Sequence, residues 1–191
     1  MDIVLASASP RRQELLTRLT NDFQIIVSNF DESSVKYDGN VCEYVSTLAL
    51  NKAKGVLDSV TNHSVIIGCD TIVFYNNNIL GKPKDEEDAY SMLKMLSNEV
   101  HFVYSSIAII DSKTKNTKVE CVCTEVKFMS LSDDIINEYI KTGEPLDKAG
   151  AYGIQDKGAL FVEKINGCYY NVVGLSINRL YSMLKEMGVN L

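Results

Sequence analysis

The sequence predicts an α/β fold, and two features carry that prediction. Strand and helix patterns alternate at the start of the chain: an apolar run over residues 2–6, a helical pattern over 10–19 and a second strand-like run over 23–27. Alternation of this kind is typical of α/β proteins. Two long strand-like segments, residues 100–111 and 118–129, are joined by a short polar stretch and are predicted to form an antiparallel pair.

The first helix is predicted to begin at a turn suited to anions. Residues 7–12 have the sequence SASPRR. Ser9 suits the N-cap, and Pro10 suits the first helical position. Arg11 and Arg12 place two cations at the positive end of the helix dipole, which costs about 0.3–1 kcal/mol each. A bound phosphate would reverse the sign of that cost, although an ordinary capped helix with solvated arginines explains the same residues.

A long helix is predicted over residues 41–57, where apolar side chains recur at helical spacing. Lys52 interrupts this apolar stripe, four residues after one apolar position and four before the next. We therefore expect Lys52 on the buried face of the helix or at its edge.

Strands and a second helix are predicted in the middle of the chain. A β-branched run over residues 65–68 leads into a strand-like run over 70–74, and three asparagines at 76–78 favour a hairpin turn. Four acidic residues then begin a helix over 85–96, where they suit the positive end of the dipole.

The last third of the chain is predicted to hold two helices separated by an irregular loop. Ser132 caps the first helix and Gly143 ends it. Residues 144–158 show little periodicity, and loops of that length are often functional. A hairpin with its turn at Asn166-Gly167 and a final helix over 175–187 follow.

Composition excludes several classes of function. A chain of 191 residues is expected to form one domain or a two-lobed domain, and its net charge of −6 leaves no broad cationic surface for nucleic acid. No apolar run is long enough to span a bilayer and no secretory signal is present, so we expect a cytoplasmic protein. The five cysteines have no zinc-like spacing and are expected to be reduced. Walker A, Rossmann and Gly-x-Ser-x-Gly motifs are missing.

Carboxylates and cations at structural transitions remain, and metal-assisted phosphoryl chemistry uses these groups. Asp70 interrupts an apolar strand-like run, where a carboxylate needs a partner, although a capping or turn role explains it as well. Asp31 and Glu32 lie in a polar loop and could supply oxygen ligands to Mg²⁺ or simply be solvated. Lys82 lies in a turn after a glycine, which suits a phosphate contact or an ordinary surface position.

Seven segments, in order over nearly the whole chain, carry a family resemblance. They are residues 7–12 (SASPRR), 31–32 (DE), 48–53 (LALNKA), 68–71 (GCDT), 81–83 (GKP), 147–155 (DKAGAYGIQ) and 171–175 (NVVGL). Together these segments resemble the Maf family of nucleoside triphosphate pyrophosphatases. The loop with Gln155 resembles the branch that acts on dTTP and UTP rather than the branch that acts on 7-methyl-GTP. Two departures, Cys69 for the usual alanine and Ser176 for the usual proline, touch no charged role.

The resemblance implies a fold, a reaction and a set of site residues. The implied fold is inosine-triphosphatase-like, over residues 1–191, with a long mixed sheet, flanking helices and two lobes around a central cleft. The implied reaction is hydrolysis of a nucleoside triphosphate to the monophosphate and pyrophosphate, with Mg²⁺ or Mn²⁺ as cofactor. The implied roles are Asp70 as the catalytic carboxylate, Glu32 and Asp70 as metal ligands, Ser7, Arg11, Arg12, Lys52 and Lys82 as phosphate ligands, and Arg11, Thr71 and Gln155 in base selection.

Two other functions fit the same residues. One is a nucleotide-binding regulator of septum formation or cell division without turnover, although a pure binder has no need of Asp70 beside a metal site. The other is a pyrophosphatase for damaged purine nucleotides such as dITP or XTP, and the loop around Gln155 argues against it. The expected partner is the nucleoside triphosphate, without stable nucleic-acid or membrane binding, and a homodimer stays open.

Overall fold

The computed structural model describes all 191 residues and contains a mixed sheet of seven strands with six helices. The strands are β1 (Asp2–Leu5), β2 (Gln24–Ile25), β3 (Ser64–Tyr75), β4 (Asn78–Leu80), β5 (Val100–Asp111), β6 (Thr117–Phe128) and β7 (Val162–Asn166). The helices are α1 (Pro10–Thr17), α2 (Val41–Lys54), α3 (Glu86–Leu96), α4 (Asp133–Ile140), α5 (Tyr169–Val173) and α6 (Ile177–Glu186). The strand order is β2-β1-β3-β5-β6-β7, with β4 paired to β3, so the predicted α/β class is confirmed.

Contacts divide the chain into two compact units. The first unit holds residues 1–70, 105–122 and 174–191, and the second unit holds residues 71–104 and 123–173. Strands β3, β5 and β6 contribute residues to both units. The expectation of a single domain over residues 1–191 stays a prediction. None of the helices combines the length and the hydropathy that a membrane span needs.

The core of the first unit lies between α2 and the sheet. Strand β1 pairs in parallel with both β2 and β3, and its residues Val4 and Leu5 are fully buried, as expected of a strand between parallel neighbours. Ala49 and Ala53 of α2 pack against this sheet. Gly68 of β3 lies directly beneath them, and a Cβ added there would overlap the carbonyl oxygen of Ala49. The helix and strand backbones therefore approach as closely as they do because residue 68 has no side chain.

Several predicted boundaries change in the structure. Helix α2 ends at Lys54 instead of residue 57, and β3 is one strand of 12 residues where two runs were expected. The predicted hairpin at Asn166-Gly167 is wrong, because after Gly167, which has a φ of 140°, the chain enters α5. A turn signal specifies that the chain reverses but not the element that follows. The Asn171 side chain fixes α5 in place by donating to the carbonyl of Val103 and to the Thr124 hydroxyl.

A disulfide in the first unit contradicts the expectation that all the cysteines are reduced. Cys42, at the start of α2, is joined to Cys121 of β6 across 79 positions of sequence. Their Cα atoms are 5.7 Å apart, within the range that disulfides allow. Spacing along the chain gave no sign of this pairing because the fold brings the two residues together. Cys69, Cys123 and Cys168 form no disulfide.

Candidate active site

One lysine joins two carboxylates in the first unit. The ammonium of Lys52 donates to Oδ1 of Asp70 and forms an ion pair with it, and the same nitrogen lies 2.8 Å from Oε1 of Glu32. Asp70 is buried, with 6% of its surface exposed, whereas the Glu32 side chain is 59% exposed. The structure thus brings together three residues that the sequence placed in one site. We call these three residues the Lys52 cluster.

Separate elements position the three members of the Lys52 cluster. Lys52 comes from the last turn of α2, and Asp70 lies two residues after Gly68 in β3. The close approach of α2 to Gly68 therefore sets the distance between the ammonium and the buried carboxylate. The Lys52 side chain is 15% exposed, which confirms its predicted position on or beside the buried face of the helix.

Asp31 and Glu32, which the sequence could not separate, have different roles. Asp31 caps the 3₁₀ turn Glu32–Ser34, since its carboxylate accepts from the backbone N–H of Ser33 at 3.0 Å and from the Ser33 hydroxyl at 2.7 Å. These hydrogen bonds hold the pKa of Asp31 below its usual value. Glu32 follows the cap and reaches Lys52. Asp31 therefore supports the turn, and Glu32 is the acid that faces the cluster.

Burial and charge act in opposite directions on Asp70. Removal from water is the largest effect and raises the pKa of this carboxyl above its usual value; the positive charges of Lys52 and then Arg12 offset part of that rise, and the Glu32 charge adds to it. The two cations thereby favour the ionised form, which is the form that accepts a proton. Sequence reasoning missed Tyr44 of α2, whose pKa is raised by burial and by the charges of Asp70 and Glu32. Its phenol therefore lies in the field of the Lys52 cluster.

Arg12 is held by protein groups at three points. Its Nη1 donates to the carbonyl of Cys69 at 3.0 Å and to the Ser7 hydroxyl at 3.4 Å, and its Nε donates to the carbonyl of Gly174 at 3.0 Å. These acceptors offset its unfavourable position near the positive end of α1. Arg12 is consequently neither a solvated arginine nor one that only a bound anion could compensate.

The expected cap of α1 is also corrected. Ser9 occupies the N-cap position, but its side chain makes no capping hydrogen bond. Instead the Ser7 hydroxyl accepts from the backbone N–H of Ser9 at 3.2 Å. Ser7 is buried and contacts Arg12 as well, so this serine organises the turn from the strand side.

The other predicted site residues lie in these places. Arg11 is half-buried in the first turn of α1, next to Arg12. Thr71, Lys82 and Gln155 belong to the second unit. Thr71 follows Asp70 in β3 and is half-buried, Lys82 is exposed in the turn after β4, and Gln155 is half-buried in an irregular loop. Their predicted roles in phosphate binding and base selection stay predictions.

The donor set of the Lys52 cluster fits a hard divalent cation. The carboxylates of Glu32 and Asp70 meet at one lysine, and carboxylate oxygens are the ligands that Mg²⁺ prefers. No group of three or more histidine, cysteine or acidic side chains is arranged so that it could hold a metal ion by itself. Two carboxylates are sufficient for Mg²⁺, which usually keeps several waters and takes substrate phosphates as further ligands. Glu32 and Asp70 are therefore the residues that could hold such an ion.

Comparison with known proteins finds one matching family model and several relatives of similar length. The family model for Maf-like proteins matches residues 2–187. A dTTP/UTP pyrophosphatase of Clostridium novyi (strain NT) is 58% identical over 191 residues, covering 100% of both chains. Proteins with the same name from Clostridium botulinum (strain Kyoto / Type A2) and Clostridium tetani (strain Massachusetts / E88) are 57% and 55% identical, each over 192 residues and 100% of this chain, with 99% and 100% of the relative covered. A nucleoside-triphosphatase of Mycobacterium abscessus, also named a dITP/XTP pyrophosphatase, aligns with 84% of this chain and 93% of its own at a TM-score of 0.44 and 14% identity.

Proposed function

This chain belongs to the Maf family, and we propose that it hydrolyses dTTP and UTP to the nucleoside monophosphate and pyrophosphate. Its Clostridium relatives carry the name dTTP/UTP pyrophosphatase and match it over its full length. The observation that carries the proposal is the Lys52 cluster, in which a buried carboxylate forms an ion pair with a lysine beside a second carboxylate. A protein that only bound nucleotides, such as a regulator of septum formation, would not need this arrangement.

Asp70 is the proposed proton acceptor. A water oxygen forms a bond to the α-phosphorus, one water proton passes to the Asp70 carboxylate, and the bond from the α-phosphorus to the bridging oxygen breaks, so that pyrophosphate leaves with the bonding electron pair. Lys52 and Arg12 keep Asp70 ready to accept because both favour its ionised form. Burial keeps bulk water away from the same carboxylate and raises its basicity.

Charge on the triphosphate has to be neutralised during this step. A divalent cation, Mg²⁺ or Mn²⁺, would be held by Glu32 and Asp70 and would supply part of that positive charge. Lys52 offers an ammonium at the same place. In this proposal Ser7, Arg11, Arg12 and Lys82 also bind phosphate oxygens. Arg12 contributes a guanidinium whose orientation is already fixed by Cys69 and Gly174, so little entropy is lost on binding.

Base selection is proposed to depend on Arg11, Thr71 and Gln155. The amide of Gln155 can both donate and accept a hydrogen bond, as the edge of a uracil or thymine ring requires. The irregular loop that carries Gln155 lets its side chain reach a ligand without a change in the sheet. The proposed partner is a pyrimidine nucleoside triphosphate, and no stable binding to nucleic acid or to a membrane is proposed. The proposed location is the cytoplasm, where such nucleotides are used. Light scattering would measure whether the enzyme forms a homodimer.

A release assay tests the proposed function. Pyrophosphate would be measured for a panel of pyrimidine and purine nucleoside triphosphates, each with Mg²⁺ and with Mn²⁺. We expect turnover with both dTTP and UTP, and clearly lower kcat/KM for GTP, dITP and XTP. Binding of UTP without release of pyrophosphate under either metal would overturn the proposal and favour a binding protein. Preference for dITP or XTP would overturn the assignment of the base.

A further inference from the structure

The loop that carries Gln155 is fixed by a buried tyrosine from a neighbouring helix. We call residues 148–158 the Gln155 loop. The phenolic oxygen of Tyr139, on α4, accepts a hydrogen bond from the backbone N–H of Gly153 at 3.1 Å. Tyr139 is 4% exposed, and its ring packs edge-on against Phe161 with the ring centroids 4.8 Å apart. The Tyr139 hydroxyl therefore anchors the backbone at Gly153, two residues before Gln155.

Gly158, at the end of the Gln155 loop, contacts the same Tyr139 hydroxyl. A Cβ added to Gly158 would lie 3.0 Å from the Tyr139 oxygen and 2.7 Å from the carbonyl oxygen of Gly153. The backbone of Gly158 thus packs directly on Tyr139 and on Gly153. Residues 153–158 form a small closed loop whose two ends meet at Tyr139, and Gln155 lies between them.

Lys148, the first residue of the Gln155 loop, also packs against Gly153. Its ammonium is buried and donates to the carbonyl of Glu144 at 2.8 Å and to Oδ1 of Asp147 at 2.9 Å, with Oδ2 of Asp156 at 3.9 Å. Its alkyl chain lies against Gly153, where an added Cβ would be 2.8 Å from Lys148 Cδ. Gly153 is therefore packed between a lysine stem and the Tyr139 hydroxyl, which leaves its peptide plane little freedom to rotate.

We propose that Tyr139 is a positioning residue for base selection, acting through Gln155. This inference rests on the proposed function, because it assumes that the Gln155 amide contacts the base. Fixing the peptide at Gly153 fixes the direction in which the Gln155 side chain leaves the backbone. Hydrogen bonds weaken steeply with misalignment, so a loop that rotates freely would lose discrimination between bases before it lost phosphate chemistry.

The substitution Tyr139→Phe tests this with little change in packing. Phenylalanine keeps the ring that contacts Phe161 and removes only the acceptor of the Gly153 N–H. We expect KM for UTP to rise by about 3- to 10-fold, the equivalent of one lost hydrogen bond, with kcat nearly unchanged. The KM for GTP should change much less, so the kcat/KM for UTP divided by the kcat/KM for GTP should also fall by about 3- to 10-fold. Tyr90→Phe is the matched control, since Tyr90 hydrogen-bonds Asp133 on the surface of the second unit and should leave the ratio unchanged.

A double-mutant cycle separates positioning from a general structural role. If Tyr139 acts through Gln155, Tyr139→Phe should not alter the UTP to GTP ratio further in a Gln155→Ala background. An equal loss for UTP and GTP in the single variant, or the same fall in the ratio with and without Gln155, would overturn the inference. Failure of the proposed function is recognised separately, because the wild-type protein would then release no pyrophosphate from any nucleotide.

Discussion

Substitution of Gly68 by alanine should damage the enzyme through α2, at a distance from the reacting atoms. The added Cβ would overlap the Ala49 carbonyl oxygen and lie 2.7 Å from the backbone nitrogen and 2.9 Å from the Cβ of Ala53. Helix backbone cannot rotate away as a side chain can, so α2 must shift by on the order of 1 Å to restore normal contacts. Overpacking of this kind costs about 1–3 kcal/mol, which corresponds to a fall in Tm of about 2–12 °C for a chain of this size.

The same shift should lower activity, because α2 carries Lys52. A displacement near 1 Å can cost on the order of 10²-fold in rate when it moves a catalytic arrangement. Gly55→Ala, at the C-cap of the same helix, is the matched control: the φ of −63° at Gly55 suits alanine, and the added Cβ would meet mainly the Ser28 hydroxyl, a flexible side-chain end. Thermal melting and pyrophosphate release would be measured for both variants. Equal Tm and equal activity for the two alanine variants would refute the account of how α2 and β3 position the Lys52 cluster.

Two further predictions concern stability. Burial lowers the pKa of His101 to about 4, so between pH 6.5 and 4 the unfolded chain binds more protons than the folded chain. Acidification through that window should therefore lower the free energy of unfolding by up to about 3 kcal/mol. Urea unfolding at a series of pH values should show a smaller decrease for His101→Asn than for the wild type, and parallel pH profiles of the two proteins would contradict this prediction. Reduction of the Cys42–Cys121 disulfide should lower the free energy of unfolding by about 4.5 kcal/mol on the chain-entropy estimate for a separation of 79 residues. A reducing agent should therefore lower the Tm of the wild type and of the Cys123→Ser control but not of Cys42→Ser, and an unchanged wild-type Tm would contradict the disulfide.

The sequence predicts the elements of this fold better than it predicts how they end. The boundaries of β5 match the structure at both ends, because a long β-branched segment bounded by polar residues leaves few alternatives. Helix α2 was predicted too long, since apolar residues after Lys54 continue the helical spacing although the chain leaves the helix at Gly55. The helix α5 was missed because its five residues are held by the buried Asn171 side chain, a tertiary contact with no local pattern.

The candidate site was predictable where a residue broke a pattern. Lys52 in an apolar stripe and Asp70 in an apolar strand both violate burial rules, and the structure pairs them. Asp31 and Glu32 could not be separated, because neighbouring acids in a polar loop have the same local pattern and only the turn geometry assigns the cap. The partners of Arg12 were missed because two of them are backbone carbonyls, which every residue has.

The role of Asp70 is the central claim, and pyrophosphate release from UTP tests it most directly. Asp70→Asn should keep the fold and nucleotide binding while kcat falls by about 10²–10⁴, the usual contribution of a positioned acid–base group. Asp31→Asn is the matched control, because asparagine also caps the turn at that position and Asp31 does not reach Lys52. The account predicts near wild-type turnover for Asp31→Asn and a large loss for Asp70→Asn. Wild-type turnover by a folded Asp70→Asn variant would contradict it.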